Sequence, residues 1–262
     1  MGVKGDLFEL LSQAPAGLRS LEGSLREWRH IERSRQGLDQ LSDGGGSWIA
    51  VGGFGRGSPP PDTVDVLHHV WTVPPDRWRI ESADRVDLSD GTRRWTGSTH
   101  QVMEMDEEAP DLKSTVLGRV MRTGPLLGAL KFGDPEQDEV AGRRCWRLDA
   151  QAAPSNFLVR PRMLAMSLGG LDHTLWFDAE TGIMLRHIGM VDGQPAFVTE
   201  FLEVITDQPI EPGRFQFSAP PDSIVRRATD GLIHMAERHG VDLTHVDRSD
   251  PKALGHACVC SE

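Results

Sequence analysis

VDVLHHVWTVPPDRWRIESADRVDLSDGTRRWTGSTHQVMEM, residues Val64 to Met105, decides the reading of this chain. Its first run sets Val64, Val66, His68 and Val70 on one face against Asp65, Leu67, His69 and Trp71 on the other, the two-residue period of a half-buried strand. Pro74-Pro75 ends that pairing, and Trp78 and Ile80 resume the alternation. Asp90-Gly91 is the dipeptide a tight hairpin favours, because its central positions need positive φ. The stretch reads as a β-meander of three consecutive strands.

Downstream of it, Leu112, Val116, Leu117, Val120 and Met121 recur at helical spacing, and a second short helix starts at Pro125 and carries Leu126, Leu127 and Leu130. The two-residue period then returns. Val140 to Leu148 reads as a strand, as does Phe157-Leu158-Val159; His173 to Asp178 pairs across a turn with Ile183 to Met190, and Asp192-Gly193 turns the chain into Ala196 to Thr206. Phe215 and Phe217 form a short closing strand. Regularly spaced strands joined by hairpin turns, with helices between them, predict an α+β fold: one large, curved antiparallel sheet whose concave face the helices cover.

Upstream, residues 6–41 carry leucines near helical spacing (Leu18, Leu21, Leu25, with Trp28) and are expected to be helical, with Pro15 dividing a short helix from a longer amphipathic one. A breaker over Ser42 to Gly46 follows, then a possible strand over Trp48 to Val51. The run Gly52-Gly53-Phe54-Gly55-Arg56-Gly57 looks like a phosphate-cradling loop, but Ser58-Pro59-Pro60-Pro61 follows where a helix N-terminus is needed, so it reads as a linker. Ser223 to His239 carries a helical apolar stripe that Gly240 ends. The expected organisation is a helical segment over 1–42, a sheet domain over 47–221, a helix over 222–240 and a polar tail over 241–262 that holds Cys258 and Cys260.

A net charge of −11 argues against nucleic acid as a partner, since phosphate neutralisation needs a basic face. No window approaches the run of about 18 apolar residues that crosses a bilayer, and the first residues lack a basic n-region and an apolar core, so a cytoplasmic location is expected. Three cysteines are too few for a disulfide scaffold. Sequence motifs for a nucleophile elbow, a zincin or a Walker loop are absent, so no catalytic residue and no cofactor are assigned. His68 and His69 point to opposite faces of a strand and cannot serve one site, and His173 beside Asp172 reads as a turn histidine rather than an acid/base pair. His234, His239, His245, His256, Cys258 and Cys260 cluster near the C-terminus without the paired spacing of a structural zinc site, so no metal is assigned.

Two blocks carry a resemblance. Pro75-Asp76-Arg77-Trp78-Arg79-Ile80-Glu81 with Asp90-Gly91 and Trp95, and Leu175-Trp176-Phe177-Asp178-Ala179-Glu180-Thr181-Gly182 with Asp192-Gly193, Phe215-Gln216-Phe217 and Pro220-Pro221, resemble the LolA-type fold of lipoprotein carriers and their relatives. Ala141-Gly142-Arg143 with Trp146 sits where such proteins begin the second half of the sheet. The resemblance implies an unclosed half-barrel plugged by helices around an apolar cavity, in proteins that bind acyl chains or other lipids or act in envelope-stress sensing. The expected function is therefore non-enzymatic binding of a hydrophobic or amphipathic ligand, a lipid or an acylated peptide. Alternatives are a protein-interaction module without lipid, or an accessory protein or substrate in peptide modification through the cysteine tail. Candidate cavity residues are Trp78, Trp95, Val102, Leu126, Leu127, Leu130, Trp146, Trp176, Met184 and Phe201, each of which would serve equally as plain core.

Overall fold

A computed structural model describes residues 3–41, 61–98, 100–105, 112, 115–152, 172–219, 221, 223–227, 229, 230, 233, 237 and 243. In chain order these form α1 (Val3–Gln13), β1 (Leu21–His30), α2 (Ile31–Leu41), β2 (Thr63–Val73), β3 (Arg77–Glu81), β4 (Arg85–Asp90), β5 (Arg94–Ser98) and β6 (Gln101–Met105). There follow α3 (Val116–Met121), α4 (Gly124–Ala129), β7 (Leu130–Phe132), β8 (Glu136–Val140), β9 (Arg143–Ala152), β10 (Asp172–Asp178), β11 (Met184–Val191), β12 (Gln194–Thr206) and β13 (Ile224–Arg227). The 13 strands follow the order β13-β6-β5-β4-β3-β2-β1-β12-β11-β10-β9-β7, with β8 also paired to β9. Strands β7 and β13 end the path, so the sheet is unclosed. It is mostly antiparallel, and β13 runs parallel to β6. The α+β sheet fold expected from the alternation is present.

The turns show why the strands break where they do. Ala141-Gly142 (φ 52° and 73°) closes β8 onto β9, and Asp192-Gly193 (φ 49° and 73°) closes β11 onto β12, both with two left-handed central residues that match the twist of a hairpin. Between β4 and β5 the left-handed residue is Gly91 at φ 99°, while Asp90 stays in the strand and its Oδ1 accepts from the amides of Thr92 and Arg93. The hairpin is thus one residue later than the Asp90-Gly91 reading.

Five expectations are corrected. Residues 21–30 are a strand, not helix: nine residues of β1 are in register with β12. The leucine spacing suits both structures, and Leu21 and Leu25, both 0% exposed, fall on one strand face as well as one helix face. The meander holds five strands rather than three, and Val140 to Leu148 is two strands split by the Ala141-Gly142 turn. Phe215 ends a 3-10 turn (Pro212–Phe215) that Pro212 opens with its fixed φ, in place of the expected closing strand at Phe215 and Phe217. Ile224–Arg227 is strand, while Thr229, Asp230, Ile233 and Glu237 are helical. The expected strands at Trp48–Val51 and Phe157–Val159, and the tail from 244 onward, lie outside the described residues.

The chain divides into two compact units, Met1–Val70 with Leu112–Pro209 and Trp71–Asp111 with Ile210–Glu262. In the first, the apolar face of the sheet carries Leu25, Leu148, Leu175, Phe177 and Phe201, and the helices bring Leu7, Leu11, Val116, Leu117, Val120, Met121 and Leu126 to its core. Helix α3 starts on a side-chain cap, Thr115 Oγ1 accepting from the Gly118 amide at 3.0 Å. Pro125 opens α4 in its first turn, as its fixed φ allows.

The opposite face of the first unit is a cross-strand row of charges. Asp65 pairs with Arg26 (2.7 Å), Arg26 with Glu200 (3.4 Å) and Glu200 with Arg186 (3.0 Å). Arg186 and Arg147 then flank the Trp176 ring at 5.3 and 6.0 Å, and Trp176 Nε1 donates to Asp138 at 2.8 Å.

In the second unit, Leu88, Trp95 and Val102 pack as one cluster, closed by Phe217 stacked on Trp95 with ring centroids 5.1 Å apart. Arg79 holds the covering segment by donating to the carbonyl of Arg214 at 3.1 Å. Among the described residues no helix is long and apolar enough to cross a membrane.

Candidate functional site

Strand register places a polar stripe across the helix-covered face of the first unit. His187 of β11 lies across from Thr199 of β12, and Thr199 across from Glu27 of β1. One pair further along the strands, Gly189, Phe197 and Arg29 line up in the same way, and His173 of β10 lies across from Gly189. Gly189 is required there: a Cβ on it would sit 2.0 Å from the Phe197 ring. Alternation along β1 keeps Leu21, Leu25, Glu27 and Arg29 on one face, so two leucines and then two charges point under the helices.

Glu27 is the hub of the stripe. One carboxylate oxygen meets His68 Nε2 at 3.1 Å, and the other accepts from the guanidinium of Arg119, which reaches down from α3. Glu27, Arg119 and His68 have side chains only 24%, 21% and 15% exposed, so the cluster is largely withdrawn from water. Burial alone would raise the Glu27 pKa, but the hydrogen bond with His68 and the charges of Arg119, His68 and Arg29 outweigh it and bring it down to about 2. Arg29 is shifted the other way: burial and the neighbouring Arg119 lower its pKa against the pull of Glu27. His187 is driven well below the usual imidazole range by burial, by His173 and by Arg119, and its Nε2 lies 3.1 Å from His173 Nδ1.

A carboxyl at about 2 is a poor general base near neutral pH, and His187 is neutral there. Among the described residues two guanidiniums face one carboxylate, which leaves a positive excess in a largely water-shielded setting. The Nδ1 of His68 is buried and has no hydrogen-bond partner among the described residues. Those residues hold no cluster of three or more metal-ligating side chains, and His234, His239, His245, His256, Cys258 and Cys260 lie outside them.

The sequence-predicted cavity residues separate into three groups. Leu126, Leu130, Met184 and Phe201 are buried in the first unit, with Leu127 and Trp146 half-buried; register sets Met184 and Trp146 across from Phe177, and Phe201 across from Leu25. Trp176 is on the opposite face, in the charge row, where Asp138 and two arginines satisfy it. Trp78, Trp95 and Val102 belong to the second unit, where Trp95 and Val102 share a face and Trp78 points the other way. Trp78 lies across from Ser89 and Trp95 across from Leu88, neighbours in β4 that point in opposite directions. The ten residues therefore do not line one wall.

Glu27 and Arg29 were missed because residues 18–41 read as a helix with a solvated charged face, and Arg119 because its own helix was read only for its apolar side. The available signal was strand alternation over Leu21, Leu25, Glu27 and Arg29. Of the two suspected histidines, His68 turns inward to Glu27 and His69 the other way, where its Nδ1 lies 3.4 Å from Ser24 Oγ. His173 is 2% exposed and pairs with His187, while Asp172 is exposed and accepts from Gln151. An open groove of about 500 Å³ lies at the turns of the same unit, lined by Gly142, Arg143, Arg144, Asp178, Ala179 and Glu180. Its lining is polar, and Arg143 is already bound to Asp178 and Glu180, so it offers nothing to an acyl chain.

No family model and no curated protein sequence matches this chain. Solved structures do. The crystal structure of MucB is similar over 82% of this chain at 15% identity and a TM-score of 0.51, and the chain spans 63% of the MucB chain. The Pseudomonas aeruginosa MucA/MucB complex (16% identity, TM-score 0.44, 84% of this chain and 62% of that one) and the LolA superfamily protein NE2245 from Nitrosomonas europaea (7%, 0.33, 83% and 99%) are also similar. With the unclosed, mostly antiparallel sheet and the helices laid on one of its faces, the chain has a LolA-like fold.

Proposed function

We propose that this chain is a non-enzymatic binding protein that takes a hydrophobic or amphipathic ligand, a lipid or an acylated peptide, between the helix-covered face of its first unit and the short helices α3 and α4. The observation that carries the reading is how those helices are held. Each is six residues long, too short to be stable by itself, and α3 is fixed by the apolar side chains of Val116, Leu117, Val120 and Met121 and by the Arg119–Glu27 ion pair. An acyl chain that displaces α3 replaces apolar contact with apolar contact, and each buried methylene contributes about 0.8 kcal/mol without needing a polar partner. The LolA-like fold supports the same reading.

The test is native mass spectrometry of the purified full chain before and after lipid extraction, followed by titration of the extracted protein with a fluorescent fatty acid. A copurifying apolar ligand, or saturable uptake of the probe, is the expected result. The absence of both a copurifying ligand and probe uptake would overturn the proposal.

A further inference from the structure

The helix-covered face of a lipid-binding sheet has no evident need for charge, yet this one gathers the half-buried Glu27, Arg29 and Arg119, with His68 and the His173–His187 pair around them. Charge taken out of water is expensive unless each group is paired. Glu27 is paired twice. Arg119 is paired with Glu27. Arg29, on the same strand face two residues from Glu27, makes no side-chain hydrogen bond or ion pair with any described residue, although it is largely shielded from solvent and stands beside a second guanidinium. His68 likewise has one ring nitrogen in use and one buried and idle. Among the described residues, the stripe thus contains one more cation than anion and one more donor-capable group than its own acceptors use.

We infer that Arg29 and Arg119 form the seat for the anionic head group of the ligand, and that the Glu27 carboxylate occupies this seat when no ligand is bound. The inference rests on the apolar-ligand reading and names the chemistry of the ligand's polar end: a carboxylate or phosphate attached to a hydrocarbon chain. Such an anion brings the charge that Arg29 lacks and offers Arg119 an alternative to Glu27. Guanidinium groups suit both, since their planar forks meet carboxylate and phosphate oxygens in pairs. Because Arg119 is carried by α3, exchange of Glu27 for the ligand anion releases the polar fastening of that helix at the moment the hydrocarbon chain replaces its apolar contacts. The same side chains therefore hold the empty face shut and recognise what opens it.

The test uses the full chain, lipid-extracted, with four probes of one chain length: dodecanoate, dodecyl phosphate, dodecanol and dodecyltrimethylammonium, each titrated by calorimetry below its critical micelle concentration. The two anions are expected to bind at least about tenfold more tightly than the alcohol, the scale of one charge-assisted hydrogen-bonded contact, and the cation more weakly than the alcohol. Whichever anion binds better identifies the head group. Arg29→Gln is expected to weaken both anions by about tenfold and dodecanol by clearly less, so that the anion preference is lost, and Arg29→Lys to retain part of it. Glu27→Gln removes the internal competitor and is expected to tighten anion binding, a gain that a merely destabilised protein would not show. Equal affinity for anion and alcohol, or a loss in Arg29→Gln that is the same for all probes, overturns the head-group inference and leaves the apolar-ligand reading standing. If none of the probes binds, both fall.

Discussion

Glu27→Gln gives the sharpest test of whether the half-buried cluster is an electrostatic unit or a set of contacts made in passing. The carboxyl is held at about 2, against 4.5 for an unperturbed glutamate. A displacement of that size corresponds to roughly 3 kcal/mol of preferential stabilisation of the charged form in the folded state. Because the folded pKa lies below the unfolded one, this stability is fully present above about pH 4.5 and is lost as pH falls through that value toward about 2. Glutamine keeps the shape and removes the charge, so it loses the contribution at every pH. Urea denaturation of the full chain and the variant, followed by fluorescence across this range, measures the gap between them. Other carboxyls with lowered pKa, among them Asp178 and Asp90, titrate in both proteins and cancel in the difference. The gap should be about 3 kcal/mol near pH 7 and shrink steadily below about pH 4.5. A gap that does not depend on pH, or one under about 0.5 kcal/mol at neutral pH, would refute the electrostatic account of the cluster.

Three further outcomes follow from local geometry. Gly97→Ala places a Cβ 2.1 Å from the carbonyl oxygen of Gln101 and 2.7 Å from Val102 Cα, backbone that has no room to move, and should cost about 2 kcal/mol or more in thermal denaturation. Asp178, 1% exposed, accepts from Arg143 and from the amides of Glu180 and Thr181, so Asp178→Asn should destabilise by about 3 kcal/mol, measurable as a lowered urea midpoint. Cys145 is buried, and its thiol is pushed up to about 11 by burial and by the carboxylates of Asp138, Asp178 and Glu139; peptide mapping should find it unmodified by iodoacetamide in native protein and modified after denaturation.

The antiparallel sheet was legible because its hairpins carry their chemistry locally. Asp192-Gly193 needs only two left-handed residues, and the strands on both sides alternate cleanly, so the β11–β12 pairing could be placed from sequence. Pro125 at the start of α4 was legible for the same reason. Strand β1 was not. Leucines at 18, 21 and 25 satisfy a helical period, and the buried face of this central strand ends in Glu27 and Arg29, which by composition belong on a solvated surface. Only the pairing with β12 and the arrival of Arg119 from residues far along the chain make those charges internal, and neither is a local property. Trp176 failed in the opposite sense: a tryptophan in an apolar run suggests a cavity wall, but the residue's parity along β10 turns it to the charged face. Trp78 and Trp95 were separated by the same period of two, acting through their partners on β4.

The central claim is that an apolar chain enters under α3. It is tested most directly by photo-crosslinking a diazirine-bearing fatty acid to the lipid-extracted full chain and mapping the labelled peptides. Label is expected on α3 and on the sheet face beneath it, around Leu117, Met121, Leu25 and Phe201, with protection by unlabelled fatty acid. Label confined to the charge row around Trp176 and Arg186, or label that unlabelled fatty acid does not displace, would contradict it.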